Sequence, residues 1–190
     1  IYKLSDANSL ETAKAVRAKM AELQQYFPDG VDYVVGHDTT LFIEASLEET
    51  ILTLFFTIAL VILVTYLFLG NVRATLVPTI AVPVSIIGTL AALYFMGMTI
   101  NTVTLFALIL AIGIVVDDAI IVVENVERLM HEDGLSPREA TEQAMKEVAA
   151  PIFATSLVLA AVFGPTMLLP GITGQMFAQF GATLVIAVII

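Results

Sequence analysis

Two stretches of this chain, 74–116 and 148–190, each run 43 residues without a charged side chain, and that feature constrains the fold more than any other. A soluble domain spreads its apolar residues in short amphipathic runs, because each surface element keeps one face in water. A single helix of such length, at about 1.5 Å rise per residue, would far overshoot a bilayer core of about 30 Å. Each stretch is therefore expected to fold as two spans joined by a hairpin. A third charge-free stretch, 50–72, supplies one more span. The expectation is five membrane helices, at about 51–69, 76–96, 102–123 and 151–169, with a truncated last one at 176–190. Composition agrees, since 14% of residues are charged against about 25% in an ordinary soluble domain.

Turn signals separate the spans: Gly70 and Asn71, then Gly97 to Asn101, then Pro170, Gly171 and Gly174. Pro78 and Pro83 fall inside the second span, where neighbouring helices can satisfy the freed carbonyls. Charge returns in 124–148, the one long polar loop of the membrane region (47–190). Within it Ser136, Pro137 and Glu139 read as N-cap, first-turn proline and capping-box acid, opening a helix with Ala140, Ala144 and Val148 on one face. That helix is expected to lie along the membrane surface.

Residues 1–46 read as water-soluble. Asn8 and Glu11 resemble a capping box, and Leu10, Ala13, Val16, Met20 and Leu23 recur at helical spacing. Pro28, Asp29 and Gly30 stop the helix, and the alternation of Val31, Tyr33 and Val35 predicts a short strand. The fold class expected is mainly α, a polytopic helical bundle with a small N-terminal α/β piece. Beginning at Ile1 and stopping in an apolar run at Ile190, the chain reads as a fragment of a longer protein.

Orientation follows from the basic residues. Arg73 sits in one loop and Arg128, Arg138 and Lys146 in another, while the turns at 97–101 and 170–175 hold none. The positive-inside rule makes the first two loops cytoplasmic, so the N-terminal piece is expected on the outer side. A net charge of −10 without a basic stripe excludes a nucleic-acid partner. With no cysteine there is neither a disulfide nor a thiolate site. No Walker A motif, nucleophile elbow or His-Glu-x-x-His pattern is present, so ATP hydrolysis and the common hydrolase chemistries have no visible machinery.

The chemistry concentrates in Asp117 and Asp118, adjacent carboxylates inside the third span, about 9 Å inward from Glu124 at helical rise. One Asp at a helix centre costs about 2.5–3.5 kcal/mol to insert, and ionisable residues in membrane helices mark ion pathways. Thr104, Ala111, Asp118 and Asn125 repeat every seven residues, as do Asp117 and Glu124, giving the helix a small and polar seam suited to face protein. Thr104, Glu124 and Asn125 are the candidates to line a proton path along it. Two like charges in low dielectric cannot both ionise cheaply, and no Lys or Arg occurs in any span. The balancing charge must come from another part of the protein, or from a bound proton or cation, Na⁺ being the rival to H⁺. His37 and His131 stand alone in polar segments and read as solvated rather than metal-bound. Met96 and Met98 flank a turn and read as packing residues.

At this point the chain resembles the resistance-nodulation-division superfamily, in its hydrophobe and amphiphile efflux branch. The match is carried by Tyr66-Leu67-Phe68-Leu69 with Asn71, by Arg73-Ala74-Thr75-Leu76, and by Pro78-Thr79-Ile80-Ala81-Val82-Pro83. It continues through Asn101-Thr102 and Ala111-Ile112-Gly113, then Val116-Asp117-Asp118-Ala119-Ile120 to Val123-Glu124-Asn125-Val126-Glu127-Arg128, and covers essentially the whole chain. The resemblance implies the second through sixth of twelve membrane helices, preceded by the end of a periplasmic porter subdomain. It also implies a proton/drug antiporter of a bacterial inner membrane rather than an enzyme, needing no cofactor beyond the proton gradient. Asp117 and Asp118 would be the proton-binding pair, with their Lys partner on the tenth helix. The implied partners are two further copies in a homotrimer, a periplasmic adaptor, an outer-membrane channel, the lipid bilayer and small amphiphilic substrates. Metal-cation export, or a lipid, sterol or protein-translocation role on the same helical core, are the rival functions.

Overall fold

The computed structural model describes residues 8–36 and 38–190. Six α-helices follow one another: α1 (Ser9–Gln24), α2 (Thr40–Leu69), α3 (Val72–Phe95), α4 (Thr102–Glu132), α5 (Pro137–Phe163) and α6 (Gly171–Ile189), with a 3₁₀ turn at Pro165–Leu168. The last five, α5 together with the 3₁₀ turn, are long and apolar enough to cross a membrane. Residues 1–49 and 50–190 form two compact units.

The helix ends lie where local chemistry puts them. Gly70 ends α2 at a positive φ of 61°, and Asn71 at once caps α3 by accepting from the Arg73 N–H at 3.0 Å, so the α2–α3 link is two residues long. Gly97, at φ 70°, closes α3 in a Schellman turn: Met98 N–H donates to Leu93 C=O (2.9 Å) and Gly97 N–H to Tyr94 C=O (3.0 Å), satisfying carbonyls the helix leaves open. Asn101 and Thr104 form a reciprocal capping box that starts α4. Pro78, Pro83 and Pro151 sit inside helices without ending them.

In the unit 50–190, α4 is the central helix, packed against α3, α5 and α6. Its buried stripe is Thr104, Leu105, Leu108, Ala111, Ile112, Val116 and Val123. The contacts favour small and hydroxylated residues, as expected where lipid offers no hydrophobic drive for helices to associate. Thr89, Thr104 and Thr183 are essentially inaccessible. Each donates its hydroxyl to a carbonyl of its own helix or cap, at 2.7, 2.9 and 2.7 Å, so burial leaves no polar group unpaired. Between helices, Ser85 Oγ of α3 donates to Ala187 C=O of α6 at 2.5 Å, and Asn101 Nδ2 donates to Gln179 Oε1 of α6 at 2.6 Å. Val61, Ile62 and Thr65 of α2 line one small gap with Pro78, Thr79 and Val82 of α3 and Val116 of α4.

The segment expected as a long polar loop is helical almost throughout. α4 continues to Glu132, making it 31 residues and about 46 Å long. The connection that remains is 133–136, with Gly134 at φ 65°. The capping box at Ser136 forms as expected, with Pro137 in the first turn. The helix it opens runs unbroken into the fourth apolar segment instead of standing as a separate piece. Leu129, Ala140 and Ala144 are fully buried against Val126, Met130 and Leu135, so the polar ends of α4 and α5 have an apolar core of their own. The fifth apolar helix likewise starts earlier than expected, at Gly171.

In the unit 1–49, Asn8 Oδ1 caps α1 by accepting from Leu10 and Glu11 N–H at 2.9 and 3.2 Å. The strand expected at Val31, Tyr33 and Val35 does not form, and the N-terminal piece among the described residues is a helix followed by irregular chain rather than α/β. A strand exists only by pairing with a neighbour, and alternation alone provides none. Tyr33 instead packs edge-on against Phe27, ring centres 6.4 Å apart, while Val31, Val34 and Val35 stay exposed.

Candidate functional site

The paired carboxylates lie at the middle of α4, and the 100° turn between successive helical residues separates their surroundings. Asp118 continues the stripe of Thr104 and Ala111, which are 1% and 2% exposed, and is itself half-buried. Asp117 belongs to a different stripe. Phe106, Leu110, Gly113, Asp117, Ile121 and Glu124 follow one another at spacings of three and four, and all are exposed. This is the face of α4 that α3, α5 and α6 leave uncovered. A Cβ added at Gly113 would meet nothing within 4 Å, so the glycine makes a shallow place on the helix one turn before Asp117. Neither carboxylate forms an ion pair or a hydrogen bond with another described residue.

The three candidate lining residues separate in space. Thr104 sits at the far end of α4, about 20 Å along the axis from the pair, its hydroxyl donating to Asn101 C=O. Glu124 and Asn125 lie past the pair and line an open cleft of about 450 Å³ with Ile121, Arg128, Glu147 and Val148. Ile121, one turn beyond Asp117, places this cleft next to the carboxylates. Asn125 is heavily engaged: its Oδ1 accepts from Arg128 Nε and Nη2 at 3.0 and 2.7 Å, and its Nδ2 donates to Glu147 Oε2 at 3.1 Å.

No three His, Asp or Glu converge as metal ligands among the described residues. His131 Nδ1 lies 2.9 Å from Glu127 C=O on its own helix, and His37 falls outside the described residues. Two features were not picked out from the sequence: the exposed stripe through Gly113 and Asp117, and the involvement of Glu147. The first had a signal, since Gly113 and Asp117 are four residues apart and so adjacent on a helix. The second had none, because Glu147 is 22 residues from Asn125.

Comparison with known proteins identifies the family. The chain is 53% identical over 181 residues to the multidrug export protein AcrF of Escherichia coli K12, covering 95% of this chain and 18% of that protein. It is 50% identical over 179 residues to the multidrug resistance protein MdtF of the same organism. To the solvent-resistant pump membrane transporter SrpB of Pseudomonas putida it is 48% identical over 179 residues. The last two matches each cover 94% of this chain and 17% of the relative. The chain thus spans less than a fifth of the length of these relatives. The profile of the AcrB/AcrD/AcrF family matches residues 1–190 in full, and the chain belongs to that family.

Proposed function

We propose that this chain is part of a proton-driven efflux pump for hydrophobic and amphiphilic compounds, and that Asp117 and Asp118 are its proton-binding groups. The observation that carries the reading is the placement of the pair: Asp117 on the one uncovered stripe of α4, Asp118 at the edge of its buried seam. No described residue supplies a cation to either. A carboxylate pair so placed is alternately neutralised by a proton and by a cation from a helix outside this chain, and those two states are what a proton gradient can drive. Relatives named as multidrug and solvent pumps favour organic substrates over metal cations.

In this reading α2 to α6 cross a bacterial inner membrane, with the α2–α3 and α4–α5 links on the cytoplasmic side and the N-terminal piece in the periplasm. The cleft at Glu124 and Asn125 is the cytoplasmic end of the proton route. The membrane field supplies about 2.3 kcal/mol per charge for each 100 mV crossed. The whole pump acts as a homotrimer with a periplasmic adaptor and an outer-membrane channel. The test is to introduce Asp117→Asn and Asp118→Asn separately into the full-length protein and follow dye efflux under an imposed pH gradient. Each variant is expected to lose nearly all gradient-driven efflux, and normal rates in both would sink the reading.

A further inference from the structure

The α4–α5 hairpin carries a closed ring of side chains that proton binding itself does not require. Arg128 Nη2 donates both to Asn125 Oδ1 and to Glu147 Oε2, each at 2.7 Å, and Asn125 Nδ2 donates to that same Glu147 oxygen at 3.1 Å. Glu132, one turn further along α4, approaches Arg128 Nη1 at 3.4 Å. Arg128 and Glu147 are each about two-fifths exposed, at 43% and 42%, and a single ion pair in such a position adds little to stability. Closure is what sets this one apart. A planar guanidinium, a planar amide and a carboxylate joined in a ring across two helices accept few relative orientations.

The ring divides labour with the apolar core beside it. Leu129, Ala140 and Ala144 fix how closely α4 and α5 approach, whereas apolar contacts are not directional and leave rotation loosely set. Rotation is what matters to the carboxylates. Asn125 lies seven residues past Asp118 on the same stripe, about 10 Å away and only about 20° off in azimuth. A twist of α4 at Asn125 is therefore passed to Asp118 and Asp117 through two hydrogen-bonded turns.

We propose that the Asn125–Arg128–Glu147 ring is a positioning device that sets the rotation of α4 against α5, and with it the direction in which Asp117 and Asp118 face their partner. The inference rests on the proton-binding reading above. The charged groups around the ring are Glu124, Glu127 and Glu132 on α4 and Lys146 and Glu147 on α5. Against the aspartates themselves, residues 151–163 of α5 and all of α6 bring no titratable side chain, α3 carries only Arg73 and Tyr94, near its two ends, and residues 50–69 of α2 bring Tyr66, beside Thr65. The pH dependence of transport should then follow the aspartate pair, with the ring acting on it through geometry.

The experiment uses the full-length pump in proteoliposomes, with dye efflux measured against pH and against dye concentration. The variants are Asn125→Ala, Arg128→Glu, Glu147→Arg, the double reversal Arg128→Glu/Glu147→Arg, and Asp117→Asn. Each ring variant alone is expected to lower the maximal rate about tenfold, as misaimed reacting groups do. Each should also move the pH midpoint by about half a unit or more, with the KM for dye unchanged. The double reversal is expected to recover much of both rate and midpoint, because the ion pair re-forms across the same gap and the Asn125 amide, turned over, can donate to the carboxylate at 128 and accept from the guanidinium at 147, closing the ring again. Single variants with wild-type rate and midpoint would overturn the proposal. So would slow variants whose midpoint stays put and whose double reversal gives no recovery, since that is the behaviour of a purely structural contact. An inactive Asp117→Asn beside normal ring variants removes the ring proposal alone, whereas a normal Asp117→Asn removes the coupling reading on which it stands.

Discussion

The helices of the unit 50–190 and the N-terminal unit 1–49 are held together by different physics. The first is built on close approach. Gly174, Gly181, Thr183, Leu184 and Ala187 of α6 are all buried, and among the described residues no buried side-chain polar atom lacks a partner. The second buries no residue of α1 at all and depends on directed polar contacts, chiefly those converging on Asp38. The difference is the one that two solvents would impose. In lipid, apolar side chains gain nothing by leaving their surroundings, so shape and small residues decide. In water, a short helix with a weak apolar face needs capping and charge to stay docked. The packing of the membrane unit should accordingly be sensitive to volume, with acid acting on it only through the aspartate pair, and the docking of α1 in the N-terminal unit should be sensitive to charge.

The strongest attempt to break that contrast is one added methyl group. A Cβ at Gly174 would stand 1.7 Å from Leu169 C=O oxygen and 2.4 Å from its carbon, and backbone atoms cannot rotate away as a side chain can. Gly174→Ala should destabilise the protein by about 1–3 kcal/mol, the usual cost of overpacking a tight site. The thermal midpoint of the full-length protein in detergent would report it. The same substitution at Gly36, where an added Cβ meets nothing within 4 Å, should leave the midpoint within error. Equal effects at the two sites would show that volume does not separate the units.

A smaller effect is expected at Asn101, which combines a helix cap with an interhelical bond. Its Oδ1 accepts from Val103 and Thr104 N–H at 2.9 and 3.1 Å, and its Nδ2 reaches Gln179. Loss of a cap of this kind costs about 0.5–2 kcal/mol. Gln179→Ala keeps the cap and removes only the acceptor of the bond to α6. If Gln179→Ala is as stable as wild type while Asn101→Ala is not, the cap carries the contribution and the bond to α6 carries none.

What could be read from the sequence divides along the same line. The spans were legible because an apolar bilayer forbids charge, so runs without charge measure helix length directly. The helix ends were legible because Gly70, Gly97 and Asn101 have local reasons for being there. The helical character of 124–132 was not, because polarity there means only that water is near, and a helix tolerates water on all sides when its charges pair along it, as Arg128 and Glu132 do. The strand at 31–35 was misread because alternation describes one strand and pairing needs two. At the candidate site, the two aspartates announced themselves as charges in an apolar run. The different faces they occupy depend on which neighbours cover α4, and the ring that joins α4 to α5 depends on a contact across a turn. Neither is a local property of the chain.

The mildest prediction is also the one that most sharpens the contrast, because it concerns acid. Asp38 accepts from the Thr40 hydroxyl at 2.6 Å and the Thr40 N–H at 2.9 Å, and pairs with Arg17, whose Nε lies 3.1 Å away. The Thr40 hydroxyl, the Arg17 guanidinium and the Thr40 amide together hold the Asp38 carboxyl down to about 2. A carboxyl lowered on folding contributes stability that is fully present above its unfolded value, near 3.8, and is lost as pH falls from there through about 2. Asp38 is 14% exposed and Arg17 38%, so solvent screens the pair and the effect is modest. A spin label at Ala21, on the exposed side of α1, should become more mobile as pH falls through that window. Asp38→Asn should be more mobile at neutral pH and show little further change on acidification. Mobility that rises with acid equally in both proteins would mean that some other carboxylate holds α1 in place, and that the charge dependence of this unit does not run through Asp38.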